Sequence, residues 1–484
     1  MNIQNKSLLH KESYINGKWV SSKNKETFVV VNPFDQSHLA NVADLDRSAI
    51  SEAINCAENA LPAWKKKSAT ERSVLLKRWY QLQIDNLDDL GTILTLEQGK
   101  PLSEARGEIA YGASYVEWFA EEAKRAYGDV VPGHQADKRI IVLKQPIGVV
   151  TTITPWNFPN AMIARKVAPA LAAGCTVIIK PSEITPLSAL ALAELADQAG
   201  IPPGVLNVVT SKDANMVGDE FTSNPKVKKI SFTGSTRVGK LLMEKSAGTL
   251  KKLSLELGGN APFIVLNDAN LEDAVTGAIA AKYRNSGQTC ICANRIFVQD
   301  DVYDEFVEKF TFEVKKLSSG NGLDANNQIG PLINEAAVKK VANLVKDATE
   351  KGAELTTGGS YGARGKNFFD TTVITNIDST MLLMKDEIFG PVAPIIKFKT
   401  DDEAIELANN TEYGLASYFY GNDLKRVWRM AEALEYGMVG INTSLISTPV
   451  APFGGIKESG MGREGSKYGL EDYLEIKYLC FGGI

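Results

Sequence analysis

Histidine is nearly missing from this chain. His10, His38 and His134 serve 484 positions, and all three lie in the first third. That excludes a His-x-x-x-His zinc site and any Ser…Asp…His order with a late histidine. Cysteine is scarce as well: five residues, with Cys290 and Cys292 only two apart, make no even disulfide framework, so a reducing, cytoplasmic setting is expected. A lone C-x-C pair with no nearby histidine is a poor zinc site, and no metal is expected. The opening MNIQNKSLLHKESYINGKW has no apolar targeting core. The longest apolar stretch, Val167 to Ile179, is broken by Pro169 and Gly174 and is too short to span a bilayer. An excess of positive charge is also lacking. Lys+Arg 53 against Asp+Glu 58 gives net −5, which points away from nucleic acid and membrane partners.

What is present is enough for a large core. At about 150 residues per domain the chain holds roughly three domain-sized units, and 44% hydrophobic with 23% charged residues is a globular balance. Ser48 to Ala126 has helical periodicity with few glycines, and Asp129 to Val142 is short and turn-rich. From the β-branched run Ile147–Thr154 onward, the pattern alternates. Helices are expected at Ala161–Ala173, from Thr185-Pro186 to Gly200, at Ala214–Ser223 and at Val238–Lys245. Strands are expected at Cys175–Lys180, Val205–Thr210, Lys228–Phe232 and Lys252–Leu257. This alternation predicts an α/β fold with a parallel, doubly wound sheet, whose ligands bind beyond the strand C-termini. After Gly258-Gly259 it restarts with strand Phe263–Leu266 and a helix carrying Leu271, Ala274, Val275, Ala278 and Ile279. A second α/β domain therefore extends to about Asn442. Tyr473–Phe481 reads as an exposed strand suited to pairing with another subunit.

Three motif matches are deceptive. Gly460–Gly465 spells G-x-G-x-x-G, but no strand is read before it and only 19 residues follow. Gly358–Gly362 spells the nucleophile elbow without the helix that should follow. Gly234–Lys240 follows a strand and opens a helix like a P-loop, yet Leu241 replaces the magnesium-binding hydroxyl. Its physical content survives, because Gly234 and the amides of Ser235 and Thr236 offer a helix N-terminus to a phosphate.

Other signals are individually open. Cys290, in the glycine-flanked turn Gly287–Cys292, is either a thiolate nucleophile or a small buried hydrophobe. Glu256, at the end of an apolar strand, is either a desolvated general base or a solvated strand end. Asn157, in Thr154–Pro159, is either an oxyanion donor or part of a rigid turn.

Taken in order, Thr154–Pro159, Lys180-Pro181-Ser182-Glu183, Phe232–Gly239, Glu256–Gly259, Gly287–Cys292, Glu387–Pro391 and Pro452–Gly455 resemble the aldehyde dehydrogenase superfamily over nearly the whole chain. Arg165, Arg284-Asn285, Cys290-x-Cys292, Ser447 and Gly465–Gly469 are most similar to its succinate-semialdehyde branch.

The resemblance implies an aldehyde dehydrogenase-like fold: two doubly wound α/β domains plus a small β element for bridging and oligomerisation. Residues 1–127 and 143–256 would bind cofactor, 257–445 would be catalytic, 128–142 and 466–484 would oligomerise, and 446–465 would return to the active site. It also implies that Cys290 attacks the aldehyde, that Asn157 and the Cys290 amide hold the oxyanion, and that Glu256 activates the hydrolytic water. Cofactor residues would be Thr154, Pro155, Trp156 and Leu257, with Lys180, Ser182 and Glu183 at the adenine ribose. Gly234, Ser235 and Gly239 would lie near the pyrophosphate, and Glu387 and Phe389 at the nicotinamide. A carboxylate at Glu183 would repel a 2′-phosphate, so NAD is expected to be preferred and NADP possible. Arg165, Arg284 and Ser447 would hold a distal substrate carboxylate. Succinate semialdehyde is the first substrate expected and glutarate semialdehyde the alternative. A non-catalytic dinucleotide-binding protein and a P-loop nucleotidase are the readings from other classes. Apart from the resemblance, Cys292 is either a small residue packing under the catalytic turn or the partner of Cys290 in a reversible disulfide. The partners expected are the aldehyde and further copies of the chain, as homodimer or homotetramer.

Overall fold

The computed structural model describes residues 3–484. Four helices precede the alternating region. α1 (Arg47–Lys66) starts where the Asp46 side chain accepts from the Ala49 N–H, and α2 (Ala69–Asp85) starts at a Ser68/Glu71 capping box. α3 (Leu87–Gln98) stops at Gly99, whose φ of 96° only glycine adopts freely. α4 (Leu102–Glu122) follows, and buries Ala105, Ile109, Val116 and Phe119 on one face.

The first sheet has the order Lys18–Val20, Ser13–Ile15, Leu206–Val208, Thr176–Lys180, Val149–Ile153, Val227–Thr233, Lys252–Glu256, Gly460–Met461. Its five central strands are parallel. They alternate with α5 (Ala161–Ala173), α6 (Leu187–Gln198), α7 (Ala214–Ser223) and α8 (Thr236–Ser246). The order reverses between Val149–Ile153 and Val227–Thr233, which opens a crevice at their C-terminal ends. The parallel doubly wound sheet expected from the sequence is present and carries antiparallel edges, where residues 13–20 and Gly460–Met461 pair. Gly460, at φ 136°, makes the second contact possible: a Cβ there would stand 1.9 Å from the Leu255 carbonyl oxygen. The Gly460–Gly465 segment is therefore a sheet edge rather than only a loop.

The second sheet runs Glu354–Thr357, Thr372–Thr375, Val392–Phe398, Ala293–Gln299, Ala261–Val265, Ala416–Tyr420, Met438–Ile441. It is parallel except at Glu354–Thr357, and α9 (Leu271–Tyr283) crosses between two of its strands. A third, antiparallel sheet joins Leu474–Gly482 to Lys138–Pro146 and Asp129–Pro132. The turn-rich stretch read at 129–142 is thus mostly strand, and Val130 and Ile476 stand largely exposed on it. Among the described residues no helix is long and apolar enough to cross a membrane.

Candidate active site

The segment after α9 has unusual backbone. Asn285, Ser286 and Gly287 take φ of 52°, 57° and 77° in succession. Left-handed conformations of this kind cost a non-glycine residue about 1–3 kcal/mol each and persist only where the surroundings impose them. Here the restraints are specific. The Asn285 amide N–H donates to Glu104 Oε2 (2.8 Å), Gln98 Nε2 donates to Asn285 Oδ1 (2.9 Å), and Ser286 Oγ donates to the Gly330 carbonyl (2.8 Å). A Cβ on Gly287 would stand 2.2 Å from the Gly390 carbonyl oxygen. The turn carries Cys290 to the wall of two cavities, of about 270 and 290 Å³. Among the described residues these walls share Cys290 and nothing else.

Arg165, Arg284 and Ser447 line the first cavity with Cys290. Either arginine alone would be read as solvated, but Arg165 is 1% exposed. Its Nε donates to Glu464 Oε2 (2.6 Å), and its guanidinium lies 3.8 Å from the centre of the Phe453 ring. Lys166 Nζ binds the other Glu464 oxygen. Arg284 stands 5.6 Å from the centre of the Phe158 ring.

The second cavity lies at the crevice in the first sheet. Of the expected cofactor residues, Pro155, Trp156, Gly234, Ser235, Leu257, Glu387 and Phe389 line it, as does Asn157. Ser235 caps α8 by accepting from the Val238 N–H, so this helix N-terminus opens on the cavity. Glu387 Oε1 accepts from the Gly259 N–H (3.1 Å), and burial pushes its carboxyl up to about 7. Thr154, Lys180, Ser182, Glu183 and Gly239 are not on this wall. Gly239 lets α8 approach Leu257, since a Cβ there would fall 2.5 Å from a Leu257 methyl. Lys180 is buried and pairs with the half-exposed Glu183 at 3.0 Å. The P-loop reading loses its lysine too: Lys240 Nζ is engaged by Glu458 at the surface (2.7 Å).

Asn157 Nδ2 donates to the Gln288 carbonyl (3.0 Å), which leaves a second N–H for the cavity. Glu256 is 3% exposed, and its Oε2 has no partner. Burial, then repulsion from Glu464, holds its carboxyl well above the ordinary range, against the pull of Arg165 and Lys166. Burial likewise pushes the Cys290 thiol up to about 12, although Arg165 and Arg284 pull it down. At Cys290 desolvation outweighs the pull of the two cations. Cys292 is buried, and its Sγ donates to the Lys282 carbonyl (3.2 Å). Both cysteines are free. No group of three His, Cys, Asp or Glu residues that could hold a metal occurs among the described residues.

Sequence reasoning missed Glu104, Tyr111, Phe158, Met162 and Phe453 on the first wall and Lys340 on the second. It also missed Glu464. Phe158, Phe453 and Glu464 lie inside the quoted motifs Thr154–Pro159, Pro452–Gly455 and Gly460–Gly465, but only the tertiary fold shows that they face or support the site.

The model of the aldehyde dehydrogenase family matches residues 19–479. The chain belongs to that family. It is 58% identical to a glutarate-semialdehyde dehydrogenase of Pseudomonas aeruginosa, with all of both chains covered. It is 57% identical to a succinate-semialdehyde dehydrogenase [NADP(+)] of Escherichia coli, again with full coverage of both. The crystal structure of succinate-semialdehyde dehydrogenase from Burkholderia pseudomallei superposes with a TM-score of 0.99 at 56% identity, covering 100% of each chain. The NADP(+) of the E. coli relative overturns the expected preference for NAD. That expectation rested on an isolated Glu183 carboxylate, whereas Glu183 is 40% exposed and pairs with Lys180 at 3.0 Å.

Proposed function

We propose that this aldehyde dehydrogenase oxidises a short semialdehyde carrying a distal carboxylate, succinate semialdehyde first and glutarate semialdehyde second, with NADP. The observation that carries the reading is a cavity in which Arg284, Arg165 and Ser447 share a wall with Cys290. A planar guanidinium is matched to a carboxylate. Arg284 is the principal anchor, since Arg165 already spends charge on Glu464. The names of the relatives agree with this substrate class.

The second cavity suits the nicotinamide end of the cofactor. It offers a helix N-terminus at Ser235, the Glu387 carboxyl and the face between Trp156 and Phe389, whose rings meet edge-on at 5.6 Å. Bound there, NADP would supply the oxidant. Cys290 gives its proton to water as its sulfur bonds to the aldehyde carbon, and the carbonyl oxygen, which takes the electron pair of the broken C=O π bond, is met by the free N–H of Asn157 and the Cys290 amide. After oxidation the acyl group remains on the sulfur as a thioester. Glu256, ionised, takes a proton from the water that hydrolyses it. A desolvated carboxylate is a stronger base than a solvated one, which is how a site without histidine performs this step.

The exposed apolar residues Ile476, Tyr478 and Phe481 on the third sheet support self-association as a dimer or tetramer through that face. A cytoplasmic setting suits five unpaired cysteines.

The test is a panel of aldehydes of equal length, with and without a terminal carboxylate, followed by the absorbance of the reduced cofactor. The carboxylated members should have the higher kcat/KM with NADP. An uncharged aldehyde used equally well removes the proposed substrate class.

A further inference from the structure

Lys100, between α3 and α4, is fully buried, and its ammonium group makes two hydrogen bonds and one contact with an aromatic face. Nζ donates to Glu108 Oε2 (2.6 Å) and to the Asn157 carbonyl (2.8 Å), and it lies 3.8 Å from the centre of the Phe158 ring. Glu108, on α4, uses its other oxygen to accept the N–H groups of Asn160 (3.0 Å) and Ala161 (3.2 Å) at the start of α5. The Asn157 carbonyl accepts a second bond, from Asn285 Nδ2 (2.9 Å). Gln98 links the two donors, since its Oε1 accepts from the Lys100 amide and its Nε2 donates to Asn285 Oδ1.

A buried ion pair is weak evidence for stability, because desolvating both charges offsets their attraction. Its place is more informative than its energy. The pair grips segment 157–161 at both ends. With both acceptor directions of the Asn157 carbonyl filled, the peptide plane that aims the Asn157 side chain is fixed. A displacement of about 1 Å at such a donor costs up to about 100-fold in rate.

We infer that Lys100, held by Glu108, is a positioning residue for this reaction: it acts through the Asn157 carbonyl to aim the oxyanion-donating amide. The inference rests on the oxyanion role given to Asn157 above. The test uses the full-length enzyme and the pre-steady-state burst of reduced cofactor. Lys100→Met/Glu108→Gln removes both buried charges, while the amide oxygen introduced on α4 still accepts at the start of α5. It should slow the burst roughly 10- to 100-fold with unchanged NADP affinity, and Lys100→Arg should keep most of the rate. In an Asn157→Ala background, the same two changes should cost almost nothing more, a coupling that a purely structural role does not produce. Should the double variant not fold, Lys100→Gln/Glu108→Gln carries the same comparison. Losses that multiply independently overturn the inference, as does a full-speed double variant beside an impaired Asn157→Ala. An Asn157→Ala enzyme as fast as wild type overturns the oxyanion role itself and this inference with it.

Discussion

Gly454 and Glu256 are packed so closely that a Cβ on Gly454 would stand 2.9 Å from Glu256 Oε1. The backbone of 454 thus forms one side of the slot in which the carboxyl sits. Gly454→Ala, whose Cβ would also stand 2.8 Å from the Gly462 carbonyl oxygen and Arg463 Cδ, should displace Glu256 together with the 462–463 edge and lower steady-state turnover roughly tenfold or more, while the first burst of reduced cofactor stays near normal. Stopped-flow absorbance compares the two phases. An equal loss in both means that Glu256 is needed before the thioester forms.

Turnover should be lost as pH falls through the raised pKa of Glu256, because only the ionised carboxylate accepts a proton from water. Glu464→Gln takes away a repelling charge and leaves Arg165 and Lys166 to act on Glu256. Both changes lower its pKa, so the acid limb of the kcat–pH profile should move to lower pH. The variant also leaves two buried cations without their partner, at a cost of about 3–5 kcal/mol, so thermal melting is followed in parallel. An acid limb that stays where it was excludes this control of Glu256.

Arg284→Ala should cost about 2–4 kcal/mol with a carboxylated aldehyde, or ~30- to 1,000-fold in kcat/KM, and far less with an uncharged one. The ratio of kcat/KM for the two substrates is the measurement. If it does not change, Arg284 is not the carboxylate anchor.

Peroxide should inactivate the wild type, and dithiothreitol should restore it. For a Cys290–Cys292 bond to form, the Cys292 sulfur has to leave the Lys282 carbonyl that it now engages, so the oxidation should be slow. Cys292→Ala should be active when reduced but should lose this recovery. Peptide mapping that finds no linked pair, or full recovery of the alanine variant, rules the switch out.

Much of the fold is legible in the sequence because its signals are local. α5 and α7 run over the residues that periodicity marks out, 161–173 and 214–223, since apolar period and a stop such as Gly174 need no tertiary information. Residues 13–20 give no such sign of joining the first sheet, because their partner strand is almost 200 residues away. Arg165 shows the same limit: a helix wheel sets it apart from the apolar side chains, but not that Glu464 buries and pairs it. Sequence alone makes Glu183 a fixed charge. Its Lys180 partner, three residues earlier, is in plain view, but whether the pair forms is a matter of side-chain geometry.

Because Cys290 is the one residue that the two cavity walls share among the described residues, those walls are free to diverge separately. The substrate side is built by α4, α5, Arg284 and the 445–453 segment, and the cofactor side by strand ends, α8 and residues 387–389. Tyr111 and Met162 line the first cavity and have no place on the wall of the second, so a substitution there reshapes the room proposed for the aldehyde and leaves the other wall's residues in place. With the roles proposed above, a change of substrate chain length needs only single substitutions on the first wall, each leaving the cofactor wall intact.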